Sequence, residues 1–185
     1  MSQHATIQPI GIDEYLAGEL SSDVRHEYAA GQVFAMVGAS QAHNTIALNV
    51  ATLLHRHLSG TPCRAFVSDM KVRVEKADAF YYPDIVATCE PLNPQAHFVT
   101  APVLIVEILS PGTEATDRRE KRLAYQQLES LKEYVLAAQD APKVEVYRRG
   151  DNAAWEVEIY GQGESVRLAS LDVELPVRGI YETVI

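Results

Sequence analysis

The chain has 185 residues, of which 47% are hydrophobic and 22% charged, a balance typical of a folded globular protein and not of a disordered one. Its 16 basic and 25 acidic residues give a formal net charge of −9, which argues against a surface that coats nucleic acid through a broad basic patch. That charge does not exclude an enzyme that meets nucleic acid at a local site where metal ions offset acidic side chains. The length suits a single domain over residues 1–185.

The N-terminal sequence MSQHATIQPIG has no basic region followed by an apolar stretch, so no secretory signal is expected. No apolar run approaches the ~20 residues that cross a bilayer. Cys63 and Cys89 form no CxxC pair, which favours two reduced core thiols. We therefore expect a cytoplasmic protein without membrane contacts, and we find no zinc-binding pattern of histidines and cysteines.

The first third of the chain predicts a helix, a hairpin and a second helix. Asp13 suits the N-cap of a short first helix. Residues 26–37 are typical of a hairpin with its turn at Ala30-Gly31. Ser40 can cap a helix that runs to Leu58, because aliphatic residues recur along it at helical spacing.

The rest of the chain predicts strands around one further helix, expected over residues 116–131. The candidate strands are residues 63–74, 82–88, 103–109, 133–138 and 143–148. The remainder alternates polar and apolar residues and predicts an antiparallel meander. The expected fold is α/β, with a central mixed β-sheet flanked by helices, an N-terminal hairpin and C-terminal antiparallel strands.

Glu107 interrupts a strand that is otherwise aliphatic, Val103-Leu104-Ile105-Val106-Glu107-Ile108-Leu109. Such a pattern is typical of a central strand covered on both faces. An unpaired buried charge costs on the order of several kcal/mol, so this carboxylate must be paired, protonated or metal-bound. For Glu107 alone, a structural salt bridge is the alternative.

Asp84 follows Tyr82-Pro83 and opens another candidate strand, a position where proline does no harm to the strand ladder. Alone it would be an ordinary aspartate of a strand edge or turn. Two acidic residues on consecutive buried strands can instead converge on one hard cation. Two carboxylates with waters and a substrate phosphate are ligands that Mg²⁺ typically takes.

Lys121 lies on the apolar face of its predicted helix, in line with Ala124, Tyr125 and Leu128 at about 100° per residue. An inward lysine near two carboxylates can orient a metal-bound water or offset charge on a phosphate. The alternative is an i,i+4 pair with Asp117 on a solvated face, worth roughly a few tenths of a kcal/mol.

Four segments of the chain together resemble the Uma family (Uma-two type) of the PD-(D/E)XK restriction-endonuclease-like superfamily. These segments are Tyr82-Pro83-Asp84, residues 102–111, residues 117–121 and Glu133-Tyr134. The resemblance covers most of the chain, and the order and spacing of the segments are more specific than any one of them.

The resemblance implies a restriction-endonuclease-like core with a metal site for Mg²⁺ or Mn²⁺. Asp84 and Glu107 would be the metal ligands, with the backbone carbonyl of Ile108 as a third. The superfamily's lysine stands two residues after the second acid, where this chain has Leu109. Lys121 in the next helix would be the migrated substitute.

The resemblance also implies accessory roles for Glu27, an acid near the metal, and for His43, at the start of the long helix, with Asp117 as a third candidate. Glu27 has the alternative of pairing with Arg25 or another base. His43 has the alternative of a surface or capping residue.

The first functional hypothesis is a metal-dependent endonuclease that hydrolyses phosphodiester bonds of nucleic acid, DNA above all, through a metal-activated water. The second is a nuclease-fold protein that binds or regulates without cleaving. The intact acidic pair favours the first, whereas the net charge and the missing strand lysine favour the second. A third reading is a structural ion-pair network without a ligand. A homodimer is expected by analogy with nucleases of this size that act on duplex.

Overall fold

A computed structural model describes residues 8–184, so the first part of the segment used to exclude a secretory signal lies outside the described residues. The strands are, in chain order, β1 His26–Ala29, β2 Gln32–Ala35, β3 Arg64–Val67, β4 Lys71–Val74, β5 Ala79–Tyr81, β6 Ile85–Thr88, β7 Phe98–Val99, β8 Pro102–Leu109, β9 Glu133–Ala138, β10 Val144–Arg149, β11 Trp155–Tyr160, β12 Ser165–Leu168 and β13 Val173–Pro176. The helices are α1 Ile12–Ser21, α2 Gln41–Leu58, α3 Glu114–Thr116, α4 Arg122–Tyr125 and α5 Val177–Ile180. A π-helical turn, Asp117–Lys121, joins α3 to α4, and short 3₁₀ turns occupy Glu75–Ala77 and Ala169–Leu171.

Two main sheets form the fold. A six-stranded sheet has the order β11-β10-β9-β8-β6-β3, in which only β8 and β9 run parallel. A five-stranded sheet has the order β2-β1-β5-β4-β7, and β12 pairs with β13 separately. The expected mixed α/β class is confirmed, but the single central sheet of the prediction is two sheets. The predicted strand over residues 63–74 divides between them, because Ser68 has a φ of 49° and turns the chain.

Strand β8 lies at the centre of the six-stranded sheet, and all of its residues except Val103 are buried. On one face Leu104 and Ile108 pack with Ile46 and Leu54 of α2. On the other face, Ile105 and Leu109 belong to a second core with aromatic residues of α4 and β9. Each fully buried aliphatic side chain contributes about 1.5–3 kcal/mol, which explains why this strand is aliphatic on both sides.

The predicted hairpin is confirmed as β1 and β2, joined at Ala30-Gly31. Both turn residues have positive φ, 46° and 84°, as a two-residue hairpin turn with the correct twist requires. A Cβ on Gly31 would lie 2.5 Å from Cβ of Pro9, so glycine is required there for space as well as for φ.

The predicted helix boundaries are partly wrong. Helix α1 begins at Ile12 with Gly11 at the N-cap, so Asp13 lies within the first turn and does not cap it. Ser40 does cap α2, through its hydroxyl and the His43 N–H. The last predicted helix ends at Tyr125, not at residue 131. There the Arg149 guanidinium binds three backbone carbonyls, and these hydrogen bonds stabilise the chain as it leaves the helix.

Cys63 and Cys89 form a disulfide, so the prediction of two reduced thiols is wrong. Strands β3 and β6 are antiparallel with Arg64 opposite Thr88, which makes Cys63 and Cys89 the next opposing pair. That register is a tertiary feature that the isolated cysteines did not reveal. Within residues 8–184, none of the helices is both long and apolar enough to span a bilayer.

Candidate active site

Asp84 and Glu107 face each other across two neighbouring strands. Ile85 pairs with Val106 in the antiparallel ladder of β6 and β8, so Asp84 lies opposite Glu107. The Asp84 N–H donates to Glu107 Oε2 at 3.3 Å, and the Ile108 N–H donates to Asp84 Oδ2 at 2.7 Å. Side chains that oppose each other in a ladder share a face, so the two carboxylates lie on one face of the sheet.

Glu107 is only 3% exposed. Its Oε1 accepts hydrogen bonds from Lys121 Nζ and from the Tyr125 hydroxyl, each at 3.4 Å. Burial raises the pKa of Glu107 well above its usual range, and the neighbouring carboxylates add to this effect, whereas Lys121 opposes it. The carboxyl therefore depends on a nearby cation to stay ionised.

Lys121 comes from the π-helical turn and is 6% exposed. Its Nζ lies 2.8 Å from Glu27 Oε1, 3.3 Å from Asp117 Oδ1 and 3.4 Å from Glu107 Oε1. Burial lowers the pKa of Lys121, but these three carboxylates outweigh it and raise the pKa well above the usual value. The inward orientation predicted from helical spacing is confirmed. The alternative of a solvated Asp117–Lys121 pair is wrong, because both side chains are buried.

Glu27 reaches the same ammonium group from strand β1. Its Oε1 also accepts the Tyr82 N–H at 3.1 Å. Arg25, the alternative partner, pairs with Asp69 instead, at 3.3 Å. Of the two readings of Glu27, the structure therefore supports a place beside Lys121 and not a pair within the hairpin.

His43 points into the same site from the first turn of α2. Its Nε2 lies 3.2 Å from Asp84 Oδ2, and this hydrogen bond raises the pKa of His43, while burial opposes the shift. The Ile108 backbone adds a smaller upward effect. The alternative of a surface residue is wrong for His43, whose side chain is 13% exposed.

Asp117 is the fourth carboxylate of the site, beside Lys121. It is 2% exposed, and burial raises the pKa of its carboxyl, against the effect of Lys121. Its Oδ1 lies within ion-pair distance of Lys121 but has no partner with hydrogen-bond geometry in the part of the chain described. Such an orphaned buried oxygen is an unusual feature in a folded protein.

These residues fit a hard divalent cation. When all are ionised, the four carboxylates of Asp84, Glu107, Glu27 and Asp117 outnumber the two cations Lys121 and His43. Carboxylate oxygens are the donors that Mg²⁺ and Mn²⁺ accept, and Asp117 Oδ1 has only its ion pair with Lys121 in the described part of the chain. Within residues 8–184, however, no group of three or more His, Cys, Asp or Glu side chains is arranged to hold a metal ion by itself. The arrangement suits an open site completed by water and substrate.

A second buried hydrogen-bond network holds the turn that precedes Asp84, and the sequence did not predict it. The Tyr82 hydroxyl donates to Glu19 Oε1 at 2.9 Å and accepts from Lys71 Nζ at 3.1 Å. Together they anchor the Tyr82-Pro83 turn that precedes Asp84. Glu19 and Lys71 gave no sequence signal, since each is a charged residue in an ordinary helix or strand pattern.

A family model, two related proteins and a solved structure each match most of the chain. A family model described as "Uma2: Putative restriction endonuclease" matches residues 12–178. The chain is 33% identical over 181 residues to the uncharacterized protein slr1290 of Synechocystis sp., covering 97% of this chain and 95% of that protein. It is 27% identical over 173 residues to sll1609 of the same organism, covering 91% and 98%. A crystal structure from Anabaena variabilis, described as "a putative nuclease belonging to DUF820", has a TM-score of 0.77 at 20% identity, covering 96% of this chain and 100% of that one.

Proposed function

Because the chain belongs to the Uma2 family, we propose that it is a metal-dependent endonuclease that hydrolyses phosphodiester bonds of nucleic acid, DNA above all. The observation that carries this proposal is the convergence of Asp84, Glu107 and Lys121 on one partly open site. A purely structural ion-pair network would not need two opposed carboxylates that line a cleft.

Each residue has a distinct role in the proposed reaction. Asp84 and Glu107, with the backbone carbonyl of Ile108, would hold Mg²⁺ or Mn²⁺. When bound, the cation would lower the pKa of a water and neutralise charge at a phosphate oxygen. Lys121 would orient the attacking water and stabilise charge that develops on the phosphate. His43 would orient Asp84 through its hydrogen bond, while Glu27 and Asp117 fix the Lys121 ammonium.

The lysine comes from a helix and not from the strand that carries Glu107. Side chains alternate along a strand, so Leu109 lies on the same face of β8 as Glu107. Leu109 is buried in the core beside Tyr125. The segment of residues 114–125 covers this face and brings Lys121 Nζ within 3.4 Å of Glu107 Oε1. This distance supports Lys121 as the replacement for a strand lysine at position 109.

A second candidate function is a nuclease-fold protein that binds nucleic acid without cleaving it. One observation favours it: Lys121 is already bound by three carboxylates, which restrains its ammonium from meeting a phosphate. The two candidates differ in what a divalent cation does. In an active enzyme the carboxylates would hold the cation, and the Lys121 ammonium would then be free to contact the substrate.

A cleavage assay with single-stranded and duplex DNA and RNA separates the candidates. We expect the wild-type chain to cleave one of these substrates with Mn²⁺ or Mg²⁺, and we expect cleavage to stop when EDTA is added. Asp84→Ala should lower this activity by about 100-fold or more, because loss of even an outer-shell partner of a metal ligand costs about 10–100-fold. Glu174→Ala, an exposed carboxylate outside the site, is the control and should cleave normally. Equal cleavage by wild type and Asp84→Ala would trace the activity to a contaminant, and no cleavage of any substrate would favour the second candidate.

Two cellular properties complete the proposal. A homodimer is proposed by analogy with other nucleases of this size, and sedimentation would test it. A cytoplasmic location is proposed because the nucleic acid that the proposed enzyme would cleave lies in that compartment. The Cys63–Cys89 disulfide argues against this location, because the cytosolic thiol pool would reduce it, whereas a secreted protein would keep it. Thiol trapping in intact cells distinguishes the two locations.

A further inference from the structure

An exposed apolar segment borders the candidate active site. Phe34, Met36 and Val37 are 51%, 38% and 77% exposed, respectively, and we call residues 34–37 the β2 strip. Strand β2 is the outermost strand of its sheet. Large apolar side chains that are exposed together at a cleft commonly mark a binding surface.

The strand register turns the β2 strip toward the site. Phe34 pairs with Glu27 across the hairpin, so both side chains lie on the same face. Glu27 on that face binds Lys121 Nζ at 2.8 Å. Met36 follows Phe34 by two residues, and its N–H donates to the Arg25 carbonyl, so its side chain continues on the same face.

The strip lies along two adjoining parts of one cleft. One part, of about 400 Å³, contains Asp84 and Glu107. The other, of about 370 Å³, contains Phe34 and Glu27. Both parts are lined by Met36, Val37, Gly112, Thr113 and Lys121. A phosphodiester that reaches the two carboxylates therefore places its neighbouring nucleotides against the β2 strip.

The cleft has few groups that could bind phosphates. Lys121 is the one lysine or arginine among the residues described as lining either part, and three carboxylates already bind it. Duplex binding depends on many phosphate contacts from basic side chains. Unpaired strands are bound instead by stacking of bases on aromatic and apolar side chains. Resting on the proposed nuclease function, we propose that the β2 strip binds the bases of an unpaired nucleic acid strand, with Phe34 as the stacking residue.

A second copy of the chain is a poorer occupant of this surface. Three exposed side chains offer far less than the ~800 Å² per partner that a stable interface buries. A partner chain seated there would also cover the entrance to Asp84 and Glu107, which line the same cleft.

The test is binding of labelled oligonucleotides of about 12 nucleotides, a length within the usual site size for unpaired strands. Fluorescence anisotropy is measured with the full chain and Ca²⁺, and the probes are single-stranded DNA, the matching duplex and an abasic strand of equal length. We expect Phe34→Ala to weaken single-strand binding about tenfold and Phe34→Tyr to retain it. Ile159→Ala, which removes an equally exposed apolar side chain on β11, is the matched control and should not change binding.

The outcomes distinguish this inference from the nuclease proposal. If the abasic strand binds wild type as tightly as the normal strand, or the duplex binds more tightly, base stacking is overturned even where Asp84-dependent cleavage persists. If no probe binds, the inference is overturned, and the cleavage assay then decides the nuclease proposal alone. A change of oligomeric state in Phe34→Ala without a change in binding would assign the strip to a second copy and overturn the inference.

Discussion

Replacement of Lys121 by methionine tests the electrostatics of the site. The ammonium pairs with Glu27, Glu107 and Asp117, and both Glu107 and Asp117 are almost fully buried. Removal of one partner of a buried ion pair costs about 3–5 kcal/mol, because the remaining charge stays buried without compensation. We expect Lys121→Met to lower the free energy of unfolding by this amount, measured by urea denaturation at neutral pH.

The same variant should respond to a divalent cation more strongly than wild type. A cation that binds the uncompensated carboxylates of the folded state at 100 times its Kd restores about 2.7 kcal/mol. The double variant Glu107→Gln/Lys121→Met removes one charge of each sign, so we expect it to be more stable than Lys121→Met alone.

Lys76→Met is the matched control for this experiment. Lys76 makes a 2.9 Å ion pair with Glu129, but the two side chains are 62% and 87% exposed. Loss of such a surface pair changes stability by about 0–1 kcal/mol. If Lys121→Met costs no more than Lys76→Met, or if the double variant is no more stable than the single one, the account of Lys121 as the cation that stabilises the buried carboxylates is refuted.

Three further predictions concern other parts of the molecule. The hydrogen bonds of Glu145 with Arg118 lower its pKa from 4.5 to about 2, so its stabilisation is complete above pH 4.5 and is lost as the pH falls through about 2. Glu145→Gln should therefore lower the free energy of unfolding by about 2 kcal/mol at pH 7 and by almost nothing at pH 2. Denaturation across that pH range measures this difference, and an equal loss at both pH values would contradict the prediction. Reduction of the disulfide, whose cysteines are 26 residues apart, should lower the free energy of unfolding by about 3 kcal/mol, and a variant with both cysteines replaced by serine should not respond to reductant. Mn²⁺ should raise the melting temperature of wild type but not of Asp84→Ala, measured by calorimetry, and an equal rise in both would place the cation elsewhere.

The sequence allowed the central parts of the site to be predicted because burial leaves a local pattern. Glu107 was identifiable as one acid in an aliphatic strand, and Lys121 as a cation on an apolar helical face. The orientation of Lys121 was correct even though its segment is a π-helical turn followed by a short helix. Over so few residues, helical and π-helical spacing place it on nearly the same face.

Features that depend on distant pairing were missed or wrongly predicted. The disulfide depends on the register of β3 and β6, which neither cysteine reveals. The early end of the last predicted helix depends on Arg149, which lies 18, 21 and 23 residues along the chain from the three carbonyls that it binds. The contact of His43 with Asp84 joins the start of α2 to the start of β6, so local pattern favoured a surface role.

Because Lys121 lies in a short helical segment, the site is complete only when that segment is folded. A lysine on β8 could be displaced only by unfolding of the central sheet, whereas the segment of residues 114–125 is short and lies at the edge of the second core. Such a segment can open at a lower free energy than the whole domain. Opening would withdraw the ammonium and leave the carboxylates of Asp84 and Glu107 in place on the intact sheet. Hydrogen exchange of the Lys121 and Arg122 amides, compared with that of β8, would therefore measure the fraction of molecules in which the site is complete.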